Sequence, residues 1–183
     1  MKEAQPIKTK KEIAAIKCVL KGRNRLLFIF GINSGLRISD ILTLRIKDVI
    51  DDSGKPRNTV TIKEKKTHKT KTFTLNAAIT RELKKVEASN REEYLFKSRK
   101  GENKPISRIQ SHRILQNAAV NAGLSIKVSA HSLRKTFGYF AYKKGVDLSL
   151  LMKIFNHSSQ ETTLQYIGIT NDNINAVYDS LNL

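Results

Sequence analysis

The sequence predicts a mainly α-helical domain with a small antiparallel β-sheet, an α+β class. Most segments of the 183-residue chain carry apolar side chains at helical spacing, as amphipathic or buried helices do. Two runs, residues 59–62 and 71–75, alternate between polar and β-branched or aromatic side chains, which is typical of paired strands. The length suits one domain with its own core.

The N-terminal third is predicted to form helices. A basic, amphipathic helix over residues 8–20 places four apolar residues on one face: Ile13, Ile16, Val19 and Leu20. Residues 25–32 are apolar nearly all round, so they indicate a buried helix that stops at residues 33–35. Ser39 is then expected to cap a short helix that turns Ile41, Leu42 and Leu44 inward. Arg37 lies in the loop before that helix, either placed for a function or as a surface or capping arginine.

The next segment is predicted to be the β-sheet. Residues 46–50 indicate a first strand, and residues 59–62 and 71–75 a hairpin. The hairpin loop, residues 63–70, is strongly cationic, with lysines at Lys63, Lys65, Lys66 and Lys69. Such a run is consistent with a solvated loop, and equally with a loop that approaches a phosphate backbone or delivers one lysine to a reaction centre.

Two helices follow the hairpin. Residues 76–89 indicate a solvent-facing amphipathic helix. Ser107 is expected to cap a helix over residues 108–121 that Gly123 ends, with these core candidates: Ile109, Leu115, Ala118 and Ala119. Its polar residues are either exposed or available to contact DNA: Gln110, Ser111, Arg113 and Asn117.

The C-terminal third contains the segment around which the rest is organised, residues 130–141. It has an apolar helical face, and His131 and Arg134 lie near its N-terminal end, where backbone N–H groups and a guanidinium favour an anion. A helix over residues 147–155 and one over 160–167, capped by Ser158 or Ser159, come next. Residues 170–183 predict a terminal helix with an apolar stripe of Ile174, Val177, Tyr178 and Leu181, which packs on its own domain or on a neighbour.

Charge points to the class of partner. The chain has 34 Lys and Arg against 16 Asp and Glu, a net charge of +18, so a polyanion such as nucleic acid is the first expectation. A ribosomal or chromatin-type protein, or simply a basic domain, would share this composition. Cys18 is the only cysteine, which excludes an intrachain disulfide and favours an intracellular protein, and we expect it to pack as a small apolar residue. No stretch has the pattern of a signal peptide or the length of a membrane span.

Six residues together resemble the active-site set of the tyrosine recombinases, the phage-integrase family of site-specific DNA recombinases: Arg37, Lys66, His131, Arg134, His157 and Tyr166. Residues 35–40, GLRISD, resemble the first-arginine box of the family, and residues 131–135, HSLRK, its second box. The spacings, 23 residues from Arg134 to His157 and 9 from His157 to Tyr166, are also similar to those of the family. The resemblance implies the fold of the family's catalytic domain.

The resemblance also implies a role for each residue. Arg37 and Arg134 would hold the two non-bridging oxygens of the scissile phosphate, so no metal or other cofactor is expected. Tyr166 would be the nucleophile and form a 3′-phosphotyrosine. Because its phenol has a reference pKa near 10, a base must take up its proton, and the resemblance assigns this role to His131. His157 would hydrogen-bond the phosphate and Asp40 would brace the site. Lys66, with Thr67, matches the lysine that protonates the 5′-oxygen, although Lys63, Lys65 and Lys69 are close enough to compete for that role.

The remaining expectations concern organisation and partners. Most family members carry an N-terminal core-binding domain, and we expect this domain to be absent from residues 1–183. These residues are expected to form a single catalytic domain, either as a fragment, as a short natural member or as a degenerate one. We expect double-stranded DNA as substrate, with Lys63, Lys65, Lys69 and Arg113 as additional contacts and binding that weakens steeply with salt. The resemblance also implies that the protein works as a tetramer on DNA, although it can be a monomer in the absence of DNA. It further implies a cytoplasmic, nucleoid-associated protein of bacterial or phage origin. A type IB topoisomerase and a catalytically silent DNA-binding module are the alternatives.

Overall fold

The computed structural model describes residues 4–169 of the chain. The elements in this part are, in order, α1 (Lys10–Val19), α2 (Gly22–Ser34), α3 (Ile38–Ile41), α4 (Ile46–Val49), β1 (Thr59–Lys63), β2 (Thr70–Thr74), α5 (Ala77–Leu83), α6 (Arg108–Asn121), α7 (Ala130–Lys143), α8 (Leu148–Phe155) and α9 (Gln160–Ile167). The fold is thus mainly helical with one small sheet, as predicted. The terminal helix predicted over residues 170–183 lies outside the described residues.

Helix α2 is the centre of the main core. Its residues 26–31 are all buried, and it packs against α5 and α7. Gly31 is required where α7 crosses, because a Cβ at this position would lie 2.4 Å from Cδ1 of Leu133. Gly35 ends the helix in the left-handed region, with a φ of +63°. The apolar run over residues 25–32 therefore forms the buried helix that it predicts.

A smaller core joins the second half of α7 to α8 and α9. Its buried members are Tyr139, Leu151, Phe155 and Ile167. Gly138 allows the three helices to approach, since a Cβ there would lie 2.6 Å from both Ile167 and Phe155. This packing fixes the segment between α8 and α9 against the N-terminal half of α7, which carries Arg134.

The hairpin is confirmed. Strand β1 pairs antiparallel with β2, from Thr59 opposite Thr74 to Lys63 opposite Thr70. On β1, Val60 and Ile62 are buried and their neighbours exposed, so the period of two predicts which face meets the core. Glu64, the next residue on that face, is buried as well.

The predicted strand over residues 46–50 is wrong, because these residues form the short helix α4. Ile46, Val49 and Ile50 are buried at positions i, i+3 and i+4, so one helical turn buries all three. The Asp48 carboxylate stabilises the turn by accepting the Arg45 N–H at 2.7 Å. Ser39 does not cap α3 either. Arg37 is the N-cap residue, and the helix begins at Ile38, before Ser39.

Four further expectations are corrected by helical geometry. Cys18 is exposed rather than packed, because Ile16 and Leu20, two residues to either side, are the buried ones. Ile109 is 67% exposed, two residues from the buried Ser111, whose hydroxyl donates to the Arg108 carbonyl at 2.7 Å. Ser111 is therefore not available to DNA. The helix expected over residues 76–89 ends at Leu83, shortly after its Asn76 cap.

None of the helices in the described part is long and apolar enough to cross a membrane.

Candidate active site

Arg37 lies at the junction of α2 and α3. The left-handed Gly35 turns the chain out of α2, and Arg37 adopts the extended conformation of an N-cap residue. Its side chain is 23% exposed, but Nη1 is buried and lies 3.2 Å from Oε1 of the buried Glu64. The arginine of the first box is therefore fixed by the fold and by a carboxylate, with one side open to solvent.

Arg134 lies in the second turn of α7, and it is 5% exposed. One arm of its guanidinium is anchored, since Nη2 donates to the Phe155 carbonyl at 3.0 Å and the guanidinium carbon lies 4.9 Å from the centre of the Phe155 ring. The other arm, Nη1, is buried and has no hydrogen-bond partner among the described residues. A buried unpaired donor is costly, so this arm is suited to an anion that binds from outside.

His157 and Tyr166 come from the end of α8 and from α9. The left-handed Asn156 ends α8, and His157 follows it directly. The two rings meet edge to face with their centres 5.0 Å apart, and both contact Phe155, at 5.4 and 5.3 Å. Lys135 of α7 places its ammonium 5.2 Å from the centre of the Tyr166 ring. The tyrosine is thus half-buried beside the histidine, with a cation over its ring.

Thr163 fixes the orientation of His157. Its hydroxyl donates to the Ser159 carbonyl at 3.1 Å and lies 3.1 Å from Nδ1 of His157. Because the single hydroxyl hydrogen is used by the carbonyl, we assign the hydrogen of the second contact to Nδ1. The other ring nitrogen, Nε2, then carries no hydrogen in the neutral ring, and it can donate a hydrogen bond only when the ring is protonated.

The pKa shifts identify one electrostatic cluster. Burial, then the positive charges of Arg134 and Arg37, lower the pKa of His157, so this ring is neutral at neutral pH. Burial also lowers the pKa of Arg134, against an opposing effect of Tyr166 and with a contribution from Arg37. Four of the predicted residues therefore act on one another at short range. His131 lies one helical turn before Arg134, at the exposed N-terminal end of α7.

The hairpin loop approaches the same cluster. The Lys65 N–H donates to Oδ1 of Asp40 at 3.0 Å, and the Thr67 hydroxyl donates to Oε2 of Glu64 at 2.6 Å. Lys66, between these two anchored residues, is exposed. Asp40 itself is 1% exposed, so it braces the loop from the first-arginine box. The other predicted cations are all exposed: Lys63, Lys65, Lys69 and Arg113.

Two guanidinium groups, an imidazole and a phenol in one cluster are suited to bind a phosphodiester and attack it. In residues 4–169 no group of three or more His, Cys, Asp or Glu side chains could hold a metal ion. A separate cavity of about 460 Å³ lies between α1, α2 and α5, beside Cys18 and Glu82, and shares none of the cluster's residues.

Comparison with known proteins supports the same interpretation. A family model described as "Phage integrase family" matches residues 8–172, which is most of the chain. The chain belongs to this family. It is 43% identical over 178 residues to the probable integrase/recombinase YoeC of Bacillus subtilis (strain 168), covering 95% of this chain and 94% of YoeC. The predicted membership of the tyrosine recombinases is thereby confirmed.

Solved structures confirm the fold of a tyrosine recombinase catalytic domain. The crystal structure of the XerA recombinase matches with a TM-score of 0.74 and 19% identity, over the whole of this chain and 67% of XerA. The XerH site-specific recombinase, bound to its palindromic difH substrate in a post-cleavage complex, matches with a TM-score of 0.69 and 24% identity. The match covers 92% of this chain but only 49% of XerH.

Three residues of the candidate site escaped the sequence analysis, Glu64, Lys71 and Thr163, and Lys135 was noted only as part of the second box. Lys71, on β2, donates to the Ile154 carbonyl at 3.0 Å; its pKa is lowered by burial, then by Arg134. A signal exists only for Glu64, because continuing the alternation of Val60 and Ile62 places it on the buried face. The others depend on how α8 and α9 fold back on α7, which the sequence pattern does not specify.

Proposed function

We propose that this chain is a site-specific DNA recombinase that cleaves and rejoins double-stranded DNA through a covalent 3′-phosphotyrosine on Tyr166. The observation that carries the proposal is the set of contacts that joins the site residues: Arg134 donates to the Phe155 carbonyl, and the rings of His157 and Tyr166 contact each other and Phe155. Arg37 and Arg134 both lower the pKa of His157. Family membership and the post-cleavage DNA complex of the similar XerH support it.

In the proposed cleavage step the Tyr166 oxygen attacks the phosphorus, a phosphotyrosine bond forms and the bond to the 5′-oxygen breaks. His131 accepts the phenol proton, and Lys66 gives a proton to the departing 5′-oxygen, which becomes a free hydroxyl. Arg134, through its unpaired Nη1, and Arg37 hold the non-bridging oxygens as charge develops on them. Rejoining is the reverse attack by a 5′-hydroxyl, so neither metal nor nucleotide cofactor is needed.

Binding beyond the scissile phosphate is proposed to depend on the exposed lysines of the hairpin loop, Lys63, Lys65 and Lys69, together with Arg113 of α6. These residues contact the backbone rather than the bases in this proposal, so they add affinity without sequence preference. Strand exchange between two duplexes requires several active sites at once. The proposed working assembly is therefore a tetramer on DNA.

Covalent capture from a random library tests the proposal for any target site. The purified chain is incubated in EDTA with a library of nicked duplexes that carry a randomised 30-base-pair segment, denatured in SDS, and the protein-bound DNA is sequenced. We expect an SDS-resistant adduct enriched in one family of sequences. Tyr166→Phe should form none, because it lacks the attacking oxygen.

Tyr142→Phe is the matched control, since Tyr142 is an exposed tyrosine of α7 outside the cluster. It should form the adduct like the wild type. Tight DNA binding with no adduct for any sequence would contradict cleavage activity and favour a silent DNA-binding module. An adduct that persists in Tyr166→Phe would show that another residue is the nucleophile.

A further inference from the structure

The hairpin loop between β1 and β2 is held on both sides of Lys66. On one side the Lys65 N–H donates to Asp40 at 3.0 Å, and on the other the Thr67 hydroxyl donates to Glu64 at 2.6 Å. Both acceptors are buried carboxylates next to the first-arginine box. Lys66 itself is exposed on a flexible stem, so its position depends on these two neighbours.

Of the two carboxylates, Glu64 is the one that contacts both the hairpin loop and the Arg37 guanidinium. Its Oε2 accepts the Thr67 hydroxyl, and its Oε1 lies 3.2 Å from Nη1 of Arg37. Its backbone also closes the loop, because its carbonyl accepts the His68 N–H at 2.9 Å and its N–H donates to the Lys69 carbonyl at 3.0 Å. The carboxylate is 5% exposed, so few water molecules are available to replace these partners.

The charge on Glu64 is maintained by its surroundings. Burial raises its pKa, but the Thr67 hydroxyl and the positive charges of Arg37 and Lys71 outweigh this effect, and the pKa lies below its ordinary value. The group is therefore an anion at neutral pH, able to accept from a hydroxyl and a guanidinium together.

We propose that Glu64 is a positioning residue that couples Arg37, which binds the phosphate, to the loop that delivers Lys66 to the 5′-oxygen. This inference rests on the proposed cleavage function. Without Glu64, Thr67 and one end of the loop lose their anchor, while Arg134 and Tyr166 keep their own contacts in α7 to α9. Loss of the Thr67 contact should impair protonation of the leaving group, and loss of the Arg37 contact should weaken the hold on the phosphate.

A sulfur substitution isolates the protonation step. In a duplex whose 5′-bridging oxygen is replaced by sulfur, cleavage breaks the P–S bond and the electron pair stays on a thiolate. A thiol is far more acidic than an alcohol, with a reference pKa near 8.5, so this leaving group needs no proton donor. The test uses the duplex identified by covalent capture, in oxygen and sulfur forms, with single-turnover adduct formation as the measurement.

We expect Glu64→Ala to slow adduct formation on the oxygen substrate by about 10- to 100-fold, the effect of misplacing a catalytic group by about 1 Å. On the sulfur substrate its defect should be smaller, because only the loss of the Arg37 contact then matters, whereas Lys66→Ala should form adduct within about threefold of the wild type. Thr67→Val, which removes only the hydroxyl from a loop residue, should show the same rescued defect without risk to the fold.

Glu82→Gln is the matched control, because Glu82 is likewise buried and ion-paired with an arginine, Arg25, but lies away from the cluster. It should behave like the wild type on both substrates. Wild-type rates for Glu64→Ala and Thr67→Val on the oxygen substrate, or equal losses on both substrates, would overturn the positioning role. An absence of adduct from the wild type would instead contradict the proposed function.

Discussion

Replacing Arg134 with lysine keeps one positive charge in the cluster but removes the forked shape of the guanidinium. In the structure the two arms do different work: Nη2 holds the Phe155 carbonyl at 3.0 Å, and the buried Nη1 has no partner within residues 4–169. A single ammonium on a shorter stem cannot serve both. In Arg134→Lys the ammonium can therefore bind either the Phe155 carbonyl at the end of α8 or the phosphate, but not both.

The magnitude follows from the contact that is lost. If the ammonium keeps the Phe155 carbonyl, the phosphate loses one charge-assisted donor that acts as charge develops, which corresponds to a loss of about 10²- to 10³-fold in cleavage rate, or about 2.7–4 kcal/mol. The stability of the domain should then change little. If the ammonium instead turns to the phosphate, a buried carbonyl is left unpaired, at a cost of about 1–3 kcal/mol in the free energy of unfolding.

Single-turnover adduct formation, a DNA-binding titration and a thermal melt together distinguish these cases. We expect the slower cleavage, with a change of less than about tenfold in affinity, because binding is spread over many basic groups of a chain with a net charge of +18. Cleavage within about threefold of the wild type, at unchanged stability, would refute the role assigned to the free arm. A loss of affinity with an unchanged rate at saturating DNA would mean that Arg134 binds the ground state and the transition state equally well.

Two further predictions concern His157 and the packing of α9. Because burial and two arginines lower the pKa of His157 in the free protein, and a phosphate would raise it, DNA binding should take up a proton. Affinity should therefore increase as the pH falls from neutrality towards the lowered pKa of the free protein, by at most about tenfold per pH unit. Titrations by fluorescence anisotropy at several pH values should show this increase reduced in His157→Gln, and an identical pH dependence in the variant would exclude His157 as its source. Gly138→Ala should destabilise the domain by about 1–3 kcal/mol despite the better helix propensity of alanine, because its Cβ would lie 2.6 Å from Ile167 and Phe155. A thermal melt measures this, and a variant as stable as the wild type would show that α9 can shift at no cost.

The parts of the fold that the sequence predicts are those in which one local signal dominates. The helix over Arg108–Asn121 has its bounds as predicted, because the Ser107 hydroxyl accepts the Gln110 N–H at 3.0 Å and a glycine follows the end. The segment over residues 46–50 failed because five residues with three apolar ones fit a buried strand and a single helical turn equally well. Only the Asp48 contact to the backbone decides between them, and it depends on the geometry of the preceding turn.

The candidate site shows the same division. Arg37 and Arg134 were found because each lies in a short box whose residue pattern resembles that of the family, and the spacings from Arg134 supplied His157 and Tyr166. Glu64 and Lys71 were missed because, in a loop and strand with so many lysines, charge alone does not show which residues point inward. Tertiary packing makes Lys71 special, since its ammonium is directed to the Ile154 carbonyl by the way α8 crosses the hairpin.

The charges of the cluster explain why this site needs those inward residues. The groups that act on Lys71 are Arg134, Glu64, Arg37 and Asp40, so with Lys71 itself three positive groups face two negative ones. This set carries one net positive charge, and the ammonium of Lys135 beside the Tyr166 ring adds a second, so the cluster favours an anion. The proposed transition state is more negative, and the proton that His157 takes up when DNA binds would add positive charge beside it. The buried carboxylates thus limit self-repulsion in the free protein, while the histidine gains its charge only when the phosphate is present.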